Sequence, residues 1–414
     1  MTGYKRIAAI LLLLALLIGC AVHCGKDAAP AEETFSPGGE SAPSSAAPAE
    51  SPDDPLWALA DAVLEKMTLP EKVGQLFFVR PEALDLSRDP AEAESARSPG
   101  LQTVTASVAD GLARWPVGGV VIFGKNIASP AQLAALLGDL QAASALPLFI
   151  AADEEGGAVS RLAAHPAFDL PRFPSAAALG AGGDPEAARR MGRTVGEYLA
   201  MYGLSMDFAP VADVSAGPND TVIGDRAFSA DPETVSAMAG AMAEGLLSRG
   251  IVPVYKHFPG HGHASGDSHV GPAVLDRTVE ELRACEWLPY RENDLAGCAV
   301  MVGHIAVPAL TGEMTPASLS RTVVDETLRG ELGFQGLVIT DALSMGAVAD
   351  GLSAGAAAVT ALKAGCDVLL MPQNLEEAYR AVLAAAESGE LTEGRIDESV
   401  RRILFYKARI GLLG

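Results

Sequence analysis

The sequence predicts an α/β fold, a single (β/α)8 TIM barrel over residues 55–414, on three observations. Short runs rich in Val, Ile and Phe recur eight times, each separated from the next by a longer stretch with helical patterning. These runs are nearly continuous in apolar residues instead of alternating, as strands covered on both faces are. Titratable residues then stand at the carboxyl end of run after run: Asp153, Asp207, Lys256 with His257, His304 and Asp341. A buried strand excludes an unpaired charge, so five strands that accept one at the same end imply one shared site. The catalytic face of a barrel is built from such strand ends and the loops after them. A doubly wound open sheet is the alternative, and the common charged end favours the barrel.

In chain order the candidate strands are 73–79, 118–124, 147–153, 205–211, 252–258, 299–305, 336–342 and 367–372. Between the second and third, Ser129 is placed to cap a helix with Pro130 at its first position. Asp184-Pro185 opens the next helix and Gly203 closes it, and Asp231-Pro232 to Gly250 repeats that start and stop. A composition of 49% hydrophobic and 20% charged residues can bury a large core. The formal charge of −22 excludes a nucleic-acid partner, which needs clustered Lys and Arg.

The first 54 residues read differently. Lys5 and Arg6 precede an apolar run from Ile7 to Ile18, too short for the roughly 20 residues that span a bilayer. A basic start with a short apolar segment is a secretory signal. The ending "LIGC" resembles the lipobox of bacterial lipoproteins, which implies a signal peptide over 1–19 and a lipid on Cys20; simple cleavage is the alternative. Residues 20–54 hold Ala, Pro, Ser, Gly and Glu with few large apolar groups, so they read as a disordered tether. The expected location is the outer face of the bacterial cytoplasmic membrane, through that anchor. Cys285, Cys298 and Cys366 lie far apart in apolar settings, with no metal-ligand spacing and no disulfide framework.

Three motifs carry the chemistry. "KHFPGHGHASGDSHVGP" (256–272) holds four of the seven histidines. Pro259 and Gly260 forbid a helical H-x-x-x-H metal pair, no third ligand follows at a usual zinc spacing, and the phosphate-loop pattern is absent. The expectation is therefore no metal and no cofactor. The glycines at 260, 262, 266 and 271 suggest a mobile loop that carries Asp267 and His269. A carboxylate near an imidazole orients the ring and raises its basicity, which suits proton transfer near neutral pH. A loop histidine with a chance acidic neighbour is the plain alternative.

In "VITDALSMGAV" (338–348) Asp341 ends an apolar strand, where a carboxylate is expensive. An ionised carboxylate can attack the anomeric carbon of a sugar; a helix-capping Asp is the other reading. In "AADEEGGAVSRL" (151–162) Asp153 ends a strand, and Gly156 and Gly157 allow close approach to a ligand. Asp153 beside Arg161, Lys256 and Arg226 (from "IGDRAFS") suits vicinal sugar hydroxyls and an amide carbonyl, although each alone could be a salt-bridge partner.

Together these segments, with "MTLPEKVGQLFF" and "RIDESVRRILFYKARIGLL" at the two ends, resemble the bacterial β-N-acetylglucosaminidases of glycoside hydrolase family 3, over roughly residues 57–412. The resemblance implies Asp341 as nucleophile, His269 as general acid/base and Asp267 as its partner. It implies Asp153, Arg161, Arg226, Lys256 and His257 as the residues that bind the N-acetylglucosaminyl unit. Two positions depart from the family: Ala158 stands where Arg is usual, and Ala342 where a second Asp is common. Many relatives draw the acid/base from a second domain after the barrel. Here the last helical pattern ends at Leu412, so no second domain is expected and a barrel loop must supply the proton. The expected activity is retaining exo-hydrolysis of β-linked N-acetylglucosamine, with peptidoglycan fragments as substrate. A phosphorylase, a non-catalytic sugar-binding lipoprotein and a metal-dependent hydrolase are the alternatives. Oligomeric state has no signature in the sequence.

Overall fold

Buried Val, Ile, Leu and Phe set eight parallel strands at the eight apolar runs. They are β1 (Phe77–Val79), β2 (Gly119–Val121), β3 (Phe149–Ala152), β4 (Met206–Asp207), β5 (Val252–Phe258), β6 (Ala299–Val302), β7 (Val338–Thr340) and β8 (Leu369–Leu370). The computed structural model describes residues 54–413 apart from 94–96, 218–219 and 221. The predicted signal peptide, Cys20 and all but the last residue of the tether lie outside the described residues. Among those described, no helix is long and apolar enough to cross a membrane.

The strands pair in the order β7-β6-β5-β4-β3-β2-β1-β8. A further parallel bridge joins Ile339 to Val368, and the Thr340 N–H donates to the Val368 carbonyl at 3.0 Å, so the two ends of the order meet. The result is a nearly closed barrel with all carboxyl ends on one face, and the predicted (β/α)8 arrangement is what forms.

The helices that cover it include α1 (Pro55–Leu64), α2 (Leu69–Gln75), α3 (Ala106–Arg114), α4 (Pro130–Ala143), α5 (Pro185–Met201), α6 (Pro232–Leu247), α7 (Val279–Ala284), α8 (Gly346–Ala349), α9 (Ala354–Ala364), α10 (Leu375–Glu387) and α11 (Glu393–Arg409), with a wider helix at Thr322–Glu331 between β6 and β7. Their starts follow the caps read from sequence. Ser129 Oγ accepts from the Gln132 N–H at 3.1 Å, Asp184 Oδ1 from Glu186 at 3.1 Å, and Asp231 Oδ2 from Thr234 at 3.0 Å. One boundary differs. Residues 73–75, expected in the first strand, complete α2, because Pro70 and the Thr68–Glu71 cap start a helix that runs into the apolar segment.

Two of the loops at the carboxyl face are structured. After β3, Glu154–Gly156 and Val159–Ser160 form a small antiparallel hairpin. After β5, residues 259–278 form a long loop before α7. Ser265 and Val274 exchange backbone hydrogen bonds at 2.7 and 2.9 Å, and Ala273–Val274 pairs with Ile305–Ala306. That tie leaves 266–272 as the tip of the loop.

Candidate active site

At the carboxyl face a cavity of about 310 Å³ opens, lined by Asp153, Arg161, Arg226, Lys256, His257, His269 and Asp341 among others. Seven of the eight predicted catalytic and sugar-binding residues thus share one cavity; the eighth, Asp267, reaches it only through His269.

One wall is a run of alternating charges. Asp153, at the end of β3, accepts from Lys256 Nζ at 2.7 Å and from Arg161 Nη2 at 2.9 Å. Lys256 Nζ also lies 2.6 Å from Glu155 Oε1, and Glu155 takes both Nε and Nη2 of Arg226 at 2.8 Å in a bidentate pair. Burial alone would neutralise these groups. Instead the attraction of Lys256 and Arg161 outweighs burial at Asp153 and holds its carboxyl well below the ordinary range. Burial likewise works against Lys256, yet Asp153 and Glu155 keep its ammonium pKa raised.

Glu155 was not foreseen as a site residue, nor was Glu154. The Glu154 carboxylate accepts the N–H groups of Arg161, Leu162 and Ala163 at 2.7, 3.0 and 2.9 Å, and the Tyr198 hydroxyl at 2.8 Å. It therefore folds the segment that presents Arg161. Gly156 and Gly157 also take a different role from the one expected. Both have positive φ, and a Cβ on Gly157 would lie 2.9 Å from Ser175 Cα. They turn the hairpin tightly against its own chain, and neither lines the charged cavity.

His257 is steered by Asp213, another residue missed from sequence. Its Nδ1 sits 2.7 Å from Asp213 Oδ2, while Asp213 Oδ1 accepts the N–H groups of His257 and His261 at 3.2 and 2.7 Å. Asp341 follows β7. Its N–H donates to the Val302 carbonyl at 2.8 Å, and its Oδ1 accepts from the Ala342 N–H at 2.7 Å. Burial pushes the Asp341 carboxyl up, but the imidazoles of His257 and His304 and the Ala342 N–H outweigh it and leave the group below its ordinary value.

Across the cavity, His269 projects from the loop tip with 60% of its side chain exposed. Its Nδ1 meets Asp267 Oδ1 at 2.8 Å, and the same oxygen accepts the His269 N–H at 3.0 Å. The tip docks on α8: the N–H groups of Gly346 and Ala347 donate to the carbonyls of His269 and Ser268 at 3.2 and 3.3 Å. Buried Ser268 also pairs its hydroxyl with His261 Nε2 at 2.9 Å.

Two strand-end residues do not reach the cavity. His304 is buried, with Nδ1 2.7 Å from Ser318 Oγ and Nε2 2.9 Å from the Ala342 carbonyl, so it packs behind Asp341. Asp207 is buried with its Oδ1 on the Glu154 N–H at 2.9 Å, and burial and the Glu154 charge push its carboxyl well up. Of the two departures from the family pattern, Ala342 lines the cavity and Ala158 does not. Phe123 and Arg80, which line it, were also missed; the guanidinium groups of Arg80 and Arg161 lie 4.8 and 5.4 Å from the Phe123 ring centre. The end of the second apolar run at 118–124 was the available signal for Phe123.

A nearly closed ring of parallel strands with a charged, concave site at the strand ends is the arrangement of a barrel enzyme. Residues 68–405 match the N-terminal domain of glycosyl hydrolase family 3, and the chain belongs to that family. It is 42% identical over 272 residues to the β-hexosaminidase LpqI of Mycobacterium tuberculosis, covering 63% of this chain and 68% of that one. Against the β-hexosaminidase of Stenotrophomonas maltophilia it is 38% identical, covering 67% and 84%. Among solved structures it is similar to a family 3 β-N-acetylglucosaminidase from Paenibacillus (36% identity, TM-score 0.75, 84% of this chain). It spans 63% of the length of that Paenibacillus protein. A Mycobacterium smegmatis family 3 protein matches at 36% identity and TM-score 0.70, with 85% and 98% coverage. The enzyme is of the β-N-acetylhexosaminidase class.

Proposed function

We propose that the protein is a retaining, exo-acting β-N-acetylglucosaminidase in which Asp341 is the nucleophile and His269, oriented by Asp267, is the general acid/base. One observation carries this reading: Asp341 and His269 line the same cavity, and the Asp267 contact at Nδ1 leaves His269 Nε2 to exchange a proton. Asp341 attacks the anomeric carbon while protonated His269 donates to the leaving oxygen, forming a glycosyl-enzyme and releasing the aglycone alcohol. Neutral His269 then removes a proton from water, whose oxygen attacks the same carbon and frees Asp341 with net retention. Asp153, Arg161, Arg226, Lys256 and His257 bind the sugar. A cavity of about 310 Å³ is at the small end of ligand pockets (about 300–1,000 Å³), which suits one terminal sugar.

The test is kinetic. Asp341→Ala is expected to abolish release from a chromogenic β-N-acetylglucosaminide. His269→Ala is expected to lower kcat by about 10²–10⁴-fold, with partial rescue of the first step by an activated leaving group. A His269→Ala enzyme with both steps untouched overturns the assignment. Adding phosphate should leave free N-acetylglucosamine as the product; a sugar 1-phosphate would mark a phosphorylase.

The lipobox-like "LIGC" supports an anchored, exported enzyme, and such a location supports N-acetylglucosamine β-linked to N-acetylmuramic acid as the natural substrate. Release of N-acetylglucosamine from purified muropeptides, and loss of membrane association in Cys20→Ser, test these two points.

A further inference from the structure

We propose that His263, Cys285 and Glu286 form a site for a zinc-class divalent cation at the root of the loop that carries Asp267 and His269. Among the described residues these three side chains bring an imidazole nitrogen, a sulfur and a carboxylate oxygen within 4.8 Å of one another. None of the three lines the cavity of Asp341.

Two features set the cluster apart from an ordinary ion pair. The Glu286 side chain is completely buried, yet its Oε2 has no hydrogen-bond partner among the described residues. His263 Nδ1 lies 3.0 Å from Glu286 Oε1 and still makes no aligned hydrogen bond to it. A buried acceptor left bare costs free energy unless something occupies it. Two donor atoms side by side with no proton directed between them are the arrangement a shared cation resolves. The donor set fits the chemistry: imidazole, thiolate and carboxylate are the ligands of zinc, and three of them leave a fourth position for water. His263 and Cys285 are partly exposed, which provides an entry path.

Arg277 reaches both Glu286 and Cys285. Its Nη1 reaches Glu286 Oε1 at 3.0 Å, fixes the carboxylate and leaves Oε2 untouched. Its positive charge works against a cation, so the thiolate is needed: with Glu286 it brings two negative charges against the two of the metal. Loading forms a metal–sulfur bond as the thiol proton leaves to solvent.

The ligands come from both sides of the loop root. His263 lies on the rising limb, six residues before His269, while Cys285 and Glu286 follow α7. A Cβ on Gly260 would stand 2.4 Å from Glu286 Cγ, so the start of the loop already rests on this carboxylate. A bound cation would tie that limb to α7. Sequence spacing hid the site, because the second and third donors sit more than twenty residues beyond His263.

The experiment uses the full chain, with zinc competed against a chromophoric chelator and cobalt(II) titrated for a thiolate-to-metal charge-transfer band. One equivalent is expected to bind with that band, to be lost in Cys285→Ser, and to persist in His269→Ala. His263→Asn should weaken binding at least tenfold, and unimpaired hydrolysis by metal-free Cys285→Ser would show that this variant is folded. Absence of the band, its survival in Cys285→Ser, or loss of the metal in His269→Ala, which would move the ion to the loop tip, each overturn the proposal.

Discussion

Arg226 completes the charged wall of the cavity and is proposed to meet the sugar as well. It closes the row Arg161–Asp153–Lys256–Glu155–Arg226, in which each inner carboxylate is shared between two cations. Removing it leaves Glu155 to Lys256 alone, which draws the ammonium away from Asp153. Arg226→Ala is therefore expected to raise KM by about 10–100-fold, from loss of charge-assisted hydrogen bonds of about 1.5–3 kcal/mol, with a smaller change in kcat. Michaelis parameters on the chromogenic substrate check this; an unchanged KM would remove Arg226 from sugar binding. Arg226 was legible because it stands in a recognisable motif, as were Asp153, Lys256 and Asp341 at strand ends. Glu155 and Asp213 were not. Their work is to hold Arg226 and His257, partners 71 and 44 residues away, and no local pattern encodes that distance.

The loop after β5 and the short helix α8 act as a pair. Asp341 ends β7 only a few residues before α8, so the element that follows the predicted nucleophile is the one that receives the loop tip bearing His269. Position 346 permits this contact. A Cβ there would meet the Val270 carbonyl carbon and oxygen at 3.1 Å and the His269 oxygen at 3.3 Å. Gly346→Ala should thus push the tip away and break two backbone hydrogen bonds worth about 1 kcal/mol each. The expected result is a fall in kcat of about tenfold or more with KM nearly unchanged, and a larger fall for poor leaving groups. Rates across a leaving-group series, with a melting curve as control, test it; equal kcat in the two proteins would show that docking on α8 is not used. At this scale the strands and the helix starts were readable, since apolar runs and caps are local. The end of α2 was misread because Val73 and Gln75 face the core from a helix as well as from a strand. The docking of the loop was invisible for another reason: it is made by backbone groups, which leave no side-chain pattern in the sequence.

The barrel as a whole is fastened where its ends meet. Asp367, buried just before β8, accepts from Arg329 at 2.6 Å, Ser399 at 2.6 Å and Arg402 at 3.1 Å, and from the Val338 N–H at 3.0 Å. It links β7, β8 and α11, while Trp57 of α1 stacks on Phe405 of α11 at 4.0 Å. The same helix carries a cost. Lys407 is fully buried, its ammonium donates among the described residues to Gln75 Oε1 at 2.6 Å, and burial pushes its pKa down to about 7. In the unfolded chain a lysine holds its proton to about pH 10.4. Between these values the unfolded state binds more protons than the folded one, so this group makes stability rise with pH from about 7 to about 10. Below pH 7 both states are protonated and the fold carries the full burial cost, on the order of 4 kcal/mol at about 1.4 kcal/mol per pH unit. Lys407→Met lacks that dependence, though it leaves Gln75 Oε1 without its donor. Whatever the fixed offset, the melting temperature of the variant minus that of the parent is expected to be greatest at pH 6–7 and to shrink steadily toward pH 10. Melting curves of the two proteins that stay parallel across this range would mean that Lys407 keeps its charge in the folded barrel.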